Sequence, residues 1–200
     1  MCRSDLSSLL LQLKALGINN LLRFTFPTPP PAKSVLAGLE TAYALKAIDK
    51  DGALSPGLGD RMAELPVKPM CAAMLLRSGE FGCIDEALSI AAMLQVDSVF
   101  AKPSSGKEIV AAKVSRRNNF EVAEGDLVMY LNILDAYLKL RSSQEEKRAR
   151  KACKDWCQKH YINYKVMEKA CEVRDSLEKL IKKKFQIENQ EFEGPDLGTG

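Results

Sequence analysis

Residues 69–95 read PMCAAMLLRSGEFGCIDEALSIAAMLQ, two apolar runs of helical length divided by Gly79 and Gly82. Pro69 suits a first helical turn, where its missing N–H costs nothing, and the runs predict helices over Pro69 to Arg77 and Ile84 to Gln95. The same pattern continues C-terminally. Helices are expected over Gly125 to Leu140, around Lys147 to Lys159, and over Asn163 to Lys184, with Asp126 as a cap whose charge meets the positive helix end. Residues 102–120, with Pro103-Ser104-Ser105-Gly106, read as a polar connection with room for one helical turn. Several helices joined by loops imply a compact helical bundle.

Toward the N-terminus the pattern is more broken. Leucines at 6, 9, 10, 13 and 16 keep the 3.6-residue period of an amphipathic helix that Ser4 or Asp5 caps and Gly17 stops. Phe24 to Pro31 cannot be helical, because its prolines remove donors and hold the chain extended. Helical spacing resumes over Ala32 to Ala47. Ile48 to Leu54 then places Asp51-Gly52 between two short apolar pieces, which predicts a small hairpin. Ser55-Pro56 opens a further helix that runs to about Glu64, where Leu65-Pro66 breaks it. Helix, small hairpin and short helix suggest a winged-helix module, so the expected fold is mainly α, a winged helix followed by a helical bundle.

Two hundred residues, 46% hydrophobic and 28% charged, fit one domain or two small ones and exclude a disordered chain. The longest mainly apolar stretch, Ala87 to Val96, is too short to span a bilayer. Arg3, Asp5 and Lys14 among the first leucines do not read as a secretory signal, so an intracellular protein without membrane contact is expected. The net charge of +3 hides a division: residues 139–184 hold 15 basic and 7 acidic side chains, whereas residues 185–200 hold four acids and no base. A concentrated positive block is the footprint of polyanion contact, and equally of solvated helix faces paired at i, i+4.

Catalytic chemistry is sparse. His160 is the single histidine, without a nucleophile-elbow pattern beside it. Gly57-Leu58-Gly59 lacks the Lys-Ser/Thr of a phosphate-binding loop. The six cysteines lie in apolar, helical surroundings and are expected to be reduced. Cys153, Cys157 and His160 share a helical face but lack a fourth ligand, so no metal is expected.

Leu11-Gln12-Leu13-Lys14-Ala15-Leu16-Gly17-Ile18, Phe24 to Pro31, Leu54 to Gly59 and Ala63-Glu64-Leu65-Pro66-Val67-Lys68-Pro69 are followed by Phe81-Gly82-Cys83, Ile90 to Leu94, Glu124-Gly125-Asp126, Leu131-Asn132-Ile133, Trp156-Cys157 and Val173-Arg174. In order and spacing these strings resemble the region after the motor of DEAH-box (DEAH/RHA) RNA helicases. The resemblance implies that residues 1–26 are the end of a second RecA-like domain and a connector, 27–68 a winged helix, and 69–187 the helicase-associated ratchet bundle. Residues 188–200 form an acidic, Gly-rich tail. It also implies that the motor, with its ATP and Mg, lies upstream of Met1, that this chain is inactive alone and holds no cofactor, and that an OB-fold domain follows.

In such a machine the bundle would guide single-stranded RNA during translocation or ribonucleoprotein remodelling, in a nuclear setting of splicing or ribosome assembly. The implied RNA contacts are Arg116 and Arg117 on the preceding loop and Asn163, Lys165, Lys169 and Arg174 on the last helix. For Asn163 the competing role is a helix cap, and for Arg174 a pair with Glu178. Two positions depart from the family pattern: Leu127 stands where His is common, and Ser176 where Gln is common. The alternatives are a protein-interaction module, docking a glycine-rich activator on Pro27 to Pro31 and the following helix, or an inert motorless remnant. The motor and OB-fold domains would be its intramolecular partners.

Overall fold

The computed structural model describes residues 6–20, 24–143 and 145–185. The expected caps Ser4 and Asp5 and the tail 188–200 lie outside them. Among the described residues the chain is helical, with no strand and no helix long and apolar enough to cross a membrane. The described chain divides into two compact units, with the boundary in sequence between Gly82 and Cys83.

In the first unit α1 (Ser7–Ala15) packs on α2 (Ala32–Ala44) through Leu6, Leu10, Leu13 and Val35, and α3 (Leu58–Glu64) lies between α1 and α4 (Pro69–Arg77). The segment 24–31 is non-helical, as its prolines require. The expected hairpin is a single antiparallel bridge, Ile48 to Leu54, closed by an Asx turn in which the Asp49 carboxylate accepts from the N–H groups of Asp51 and Ala53 at 2.9 Å each. Lys14, almost fully buried, donates its ammonium to the Gly52 carbonyl, tying α1 to this turn. Burial lowers its pKa, and the nearby Asp49 charge opposes that effect. Ser55-Pro56 does not start α3. Gly57, at φ +82°, breaks the helical path, and the Ser55 hydroxyl instead accepts from Gly59 N–H at 3.1 Å and donates to the Lys46 carbonyl at 2.6 Å.

The second unit holds α5 (Ile84–Gln95), α6 (Gly106–Asn119), α7 (Asp126–Ser142), α8 (Glu146–Lys159) and α9 (Tyr164–Leu180), whose last turn widens to a π-helix over Ile181–Phe185. Helix α5 packs on α7 and α9, and α8 on α7 and α9. Their shared core contains Ile133, Leu134, Tyr137, Cys153, Cys157 and Met167. Helix α6 corrects the expected loop over 102–120. It buries no residue, so its sequence carries no apolar period to read. Its start is nevertheless written in Ser105-Gly106-Lys107-Glu108, where the Ser105 hydroxyl accepts from Glu108 N–H. Asp126 is not a cap either: Gly125, at φ +102°, takes that position, and Asp126 is the first helical residue.

Helices α1, α2 and α8 end in the same way. A 6→1 bond (Ile18 N–H to Leu13, Ala47 N–H to Ala42, Ile162 N–H to Cys157) accompanies a left-handed residue just past the cap. That residue is Gly17 in α1 but Lys46 (φ +59°) in α2 and Tyr161 (φ +56°) in α8. A side chain in that region costs roughly 1–2 kcal/mol. Glycine avoids the cost, and asparagine bears it more easily than other side chains.

Gly59 is required for a different reason, since a Cβ there would strike the Ala47 carbonyl oxygen and crowd the Ser55 hydroxyl. Gly59→Ala is expected to destabilise the first unit by about 1–3 kcal/mol, the range for overpacking, as read from the urea unfolding midpoint. An unchanged midpoint would show that α3 can shift freely.

Candidate nucleic-acid interface

Helix α8 carries six cations and two acids over 14 residues. Its buried residues Ala149, Cys153 and Cys157 recur every four positions and form one stripe against α7 and α9. Lys147, Arg150, Lys151 and Lys154, at i, i+3, i+4 and i+7, share one exposed face that flanks this stripe. Arg150 pairs with Glu146 at 2.9 Å, but both side chains are more than 60% exposed, so solvent leaves the pair worth about 0.3–0.5 kcal/mol. Lys147 and Lys151 make no ion pair among the described residues. The face is a row of solvated positive charge.

The six expected contact residues are placed very differently. Asn163 caps α9, its carboxamide oxygen accepting from Lys165 N–H at 3.1 Å and Val166 N–H at 3.4 Å, which leaves its NH₂ donors available. Lys165 and Lys169 are exposed, one turn apart on the outer side of α9. Arg174 faces the other way. Its side chain is only 16% exposed and is bound to Asp85 at 3.0 Å, to the Ser89 hydroxyl at 3.2 Å and to Glu178 at 3.3 Å, which joins α9 to α5. Arg116 is on α6, pairs with Glu121 at 3.2 Å and Asp126 at 3.5 Å, and lies 4.5 Å over the Phe100 ring. Arg117 beside it is exposed and unpaired among the described residues.

A cleft of about 650 Å³ opens at the turn from α8 to α9. Lys102, Lys154, Lys159, Tyr161, Asn163 and Tyr164 line it, with Glu108 as the acid on its wall. Backbone pairing builds it: Ala101 N–H donates to the Tyr161 carbonyl at 2.8 Å and Asn163 N–H to that of Val99 at 2.7 Å, around a Phe100–Ile162 bridge. This brings Lys102 beside lysines more than fifty residues away. The Lys154 ammonium stands 5.4 Å from the centre of the Tyr164 ring. Net positive charge beside aromatic rings is the combination that holds a single nucleic-acid strand. The sequence contained part of this signal in the spacing of Lys147, Arg150, Lys151 and Lys154, but not the approach of Lys102.

The remaining reactive groups are packed away. Burial pushes the Cys157 thiol up to about 12, and those of Cys153 and Cys171 upward too, so all three stay protonated near neutrality. The fully buried Tyr137 hydroxyl donates to Glu168 at 2.6 Å, and its pKa is raised first by burial and then by that carboxylate. His160 lies against Phe120 and Trp156, and burial, aided by Lys159, lowers its pKa. Among the described residues no three His, Cys, Asp or Glu side chains converge to hold a metal.

Comparison with known proteins gives a match of residues 68–191 to the family of helicase associated domains (HA2), ratchet-like. The chain is similar to the probable ATP-dependent RNA helicase DHX35 of Homo sapiens, 47% identical over 198 residues, which cover 98% of this chain and 26% of that protein. It is also similar to the probable ATP-dependent RNA helicase DHX35 homolog of Caenorhabditis elegans, 40% identical over 192 residues, 96% of this chain and 24% of the relative. The pre-mRNA-splicing factor ATP-dependent RNA helicase prp22 of Schizosaccharomyces pombe is 38% identical over 179 residues, 90% of this chain and 14% of its own. The chain thus spans between 14% and 26% of the length of these relatives.

The Arg174 network yields two expectations. Arg174→Ala removes three charged or polar bonds, with Asp85 largely exposed, and is expected to cost about 1–2 kcal/mol, while Arg117→Ala stays within about 0.5 kcal/mol. Equal urea midpoints for the two would contradict the network. Lys182, hydrogen-bonded to Glu178, holds that carboxyl below its usual value, so the pair stabilises above pH 4.5 and the contribution is lost as pH falls through the depressed pKa. Thermal melts across that range should show less acid sensitivity in Glu178→Gln than in the parent.

Proposed function

The chain belongs to the helicase-associated (HA2), ratchet-like family of DEAH-box RNA helicases, and on that footing we propose that it is the auxiliary winged-helix and ratchet region that guides single-stranded RNA during translocation or ribonucleoprotein remodelling. The observation that carries the reading is the solvated basic face of α8, on which Lys147 and Lys151 make no ion pair among the described residues, fixed in direction by the buried stripe beside it. A guide has to attract a moving strand without reading it. Lysine and arginine do so by neutralising phosphates, a contact independent of sequence and reversible as counterions exchange.

In this reading residues 27–68 are the winged helix, with the 48–54 turn as a reduced wing, and residues 69–187 are the ratchet. ATP and Mg act in motor domains outside this chain, which itself turns nothing over. The motor and OB-fold domains are its neighbours in the longer protein. The name of the S. pombe relative, a pre-mRNA-splicing factor, favours splicing and hence the nucleus as the setting.

Binding of a fluorescent single-stranded oligouridine, followed by anisotropy across a salt series, tests the proposal. Affinity should fall linearly with salt on a log–log plot, and combining Lys147→Gln, Arg150→Gln and Lys151→Gln should make the slope shallower by about 2, at roughly 0.7 per lost phosphate contact. Affinity no better than that of a neutral control protein at low salt would refute it.

A further inference from the structure

Tyr161 occupies a place that its backbone does not favour. The same position closing α1 is Gly17, free of strain, and in α2 it is Lys46, an exposed hydrophilic side chain. Tyr161 instead is a half-buried aromatic lining the cleft, with its carbonyl bound by Ala101 N–H and its own N–H bound to the Gln158 carbonyl at 3.3 Å. The helix ending does not call for a ring, because glycine closes α1 with the same bonds. The core does not call for it either, since Tyr161 is absent from the cluster that Phe120, Tyr137 and Trp156 share. Strain held at a cleft by a side chain that neither cap nor core requires points to a ligand.

The other walls define that ligand. Lys102, Lys154 and Lys159 supply three ammonium groups against the single carboxylate of Glu108, and Asn163 adds free amide donors at the mouth. Cations suit a phosphodiester, and a tyrosine face suits a base. We propose that the α8–α9 cleft holds one nucleotide unit of a single strand, its phosphate among Lys102, Lys154 and Lys159 and its base against the Tyr161 ring. This rests on the RNA-guiding reading and deepens it: the exposed α8 face attracts the backbone, and the cleft grips the strand at one point. A stacked base carries no sequence requirement, because every base presents a π-face.

The experiment compares, on the full chain at fixed salt, a labelled oligouridine with an abasic ribose-phosphate strand of equal length. The parent should prefer the base-bearing strand by about tenfold, a typical effect of one stacked base. Tyr161→Asn, an amino acid that tolerates the left-handed region, should abolish that preference while leaving the abasic affinity unchanged and the melting temperature equal or higher. Tyr161→Phe should keep the preference, and Lys102→Gln combined with Lys159→Gln should weaken both strands alike. The cleft assignment is overturned if the parent shows no preference, or if Tyr161→Asn keeps it or loses only stability. Salt-dependent binding of both strands without preference would sink the cleft alone, whereas no binding of either would sink the guiding reading as well.

Discussion

Burial of Ala149, Cys153 and Cys157 against α7 and α9 is the contact on which the charged half of the molecule depends. Helix α8 brings six cations into about 20 Å of length, a distribution that repels itself and favours unfolding. Its cohesion comes from small, soft side chains that let it approach the bundle closely, with Trp156 filling the edge against Phe120 and Tyr137. Tyr137 in turn is fully buried only because its hydroxyl has Glu168 to bond. Apolar packing thus fixes the direction of the charge, and the hydrogen bond beneath it fixes the packing. A larger residue at Cys153 or Cys157 would act on the basic face indirectly, by rotating or lifting the helix.

Where packing wrote a period into the sequence, the fold was readable. Helices α4 and α5 lie where their apolar runs and Pro69 place them, and α8 starts one residue before its expected Lys147. Helix α6 was unreadable by that criterion because no residue of it is buried, although its Ser105–Glu108 start was a legible local sign. At Ser55 and Asp126 the residue type was right for a cap and the backbone was not, since Gly57 and Gly125 with positive φ move each helix start. A good capping side chain says only that a helix begins nearby; the left-handed glycine beside it sets the residue.

The candidate site was legible in part. Charge counting located the basic block, and Asn163 and Arg174 each make the local bond that their spacing offered, to the α9 amides and to Glu178. The nonlocal partners of Arg174, Asp85 and Ser89, lie more than eighty residues away and leave no trace in one sequence. The same holds for Lys102, which reaches the cleft only through the pairing of 99–101 with 161–163.

These placements explain how two departures from the family pattern fit together. Leu127 is 47% exposed at the start of α7, and the Ser176 hydroxyl turns back to the Glu172 carbonyl at 2.8 Å, so neither offers a long polar side chain. Arg174, the remaining strong donor in that part of α9, is engaged by Asp85, Ser89 and Glu178. Donors withdrawn there are balanced by donors elsewhere, since Lys147, Lys151, Lys154 and Lys159 are exposed on α8 and its end. Under the proposed RNA-guiding role, a strand following free positive charge would run along α8 toward the α9 cap, because Coulomb attraction is strongest where a cation has no carboxylate of its own. The Arg174 side of α9 is instead the rigid joint with α5, held by the bonds to Asp85 and Ser89.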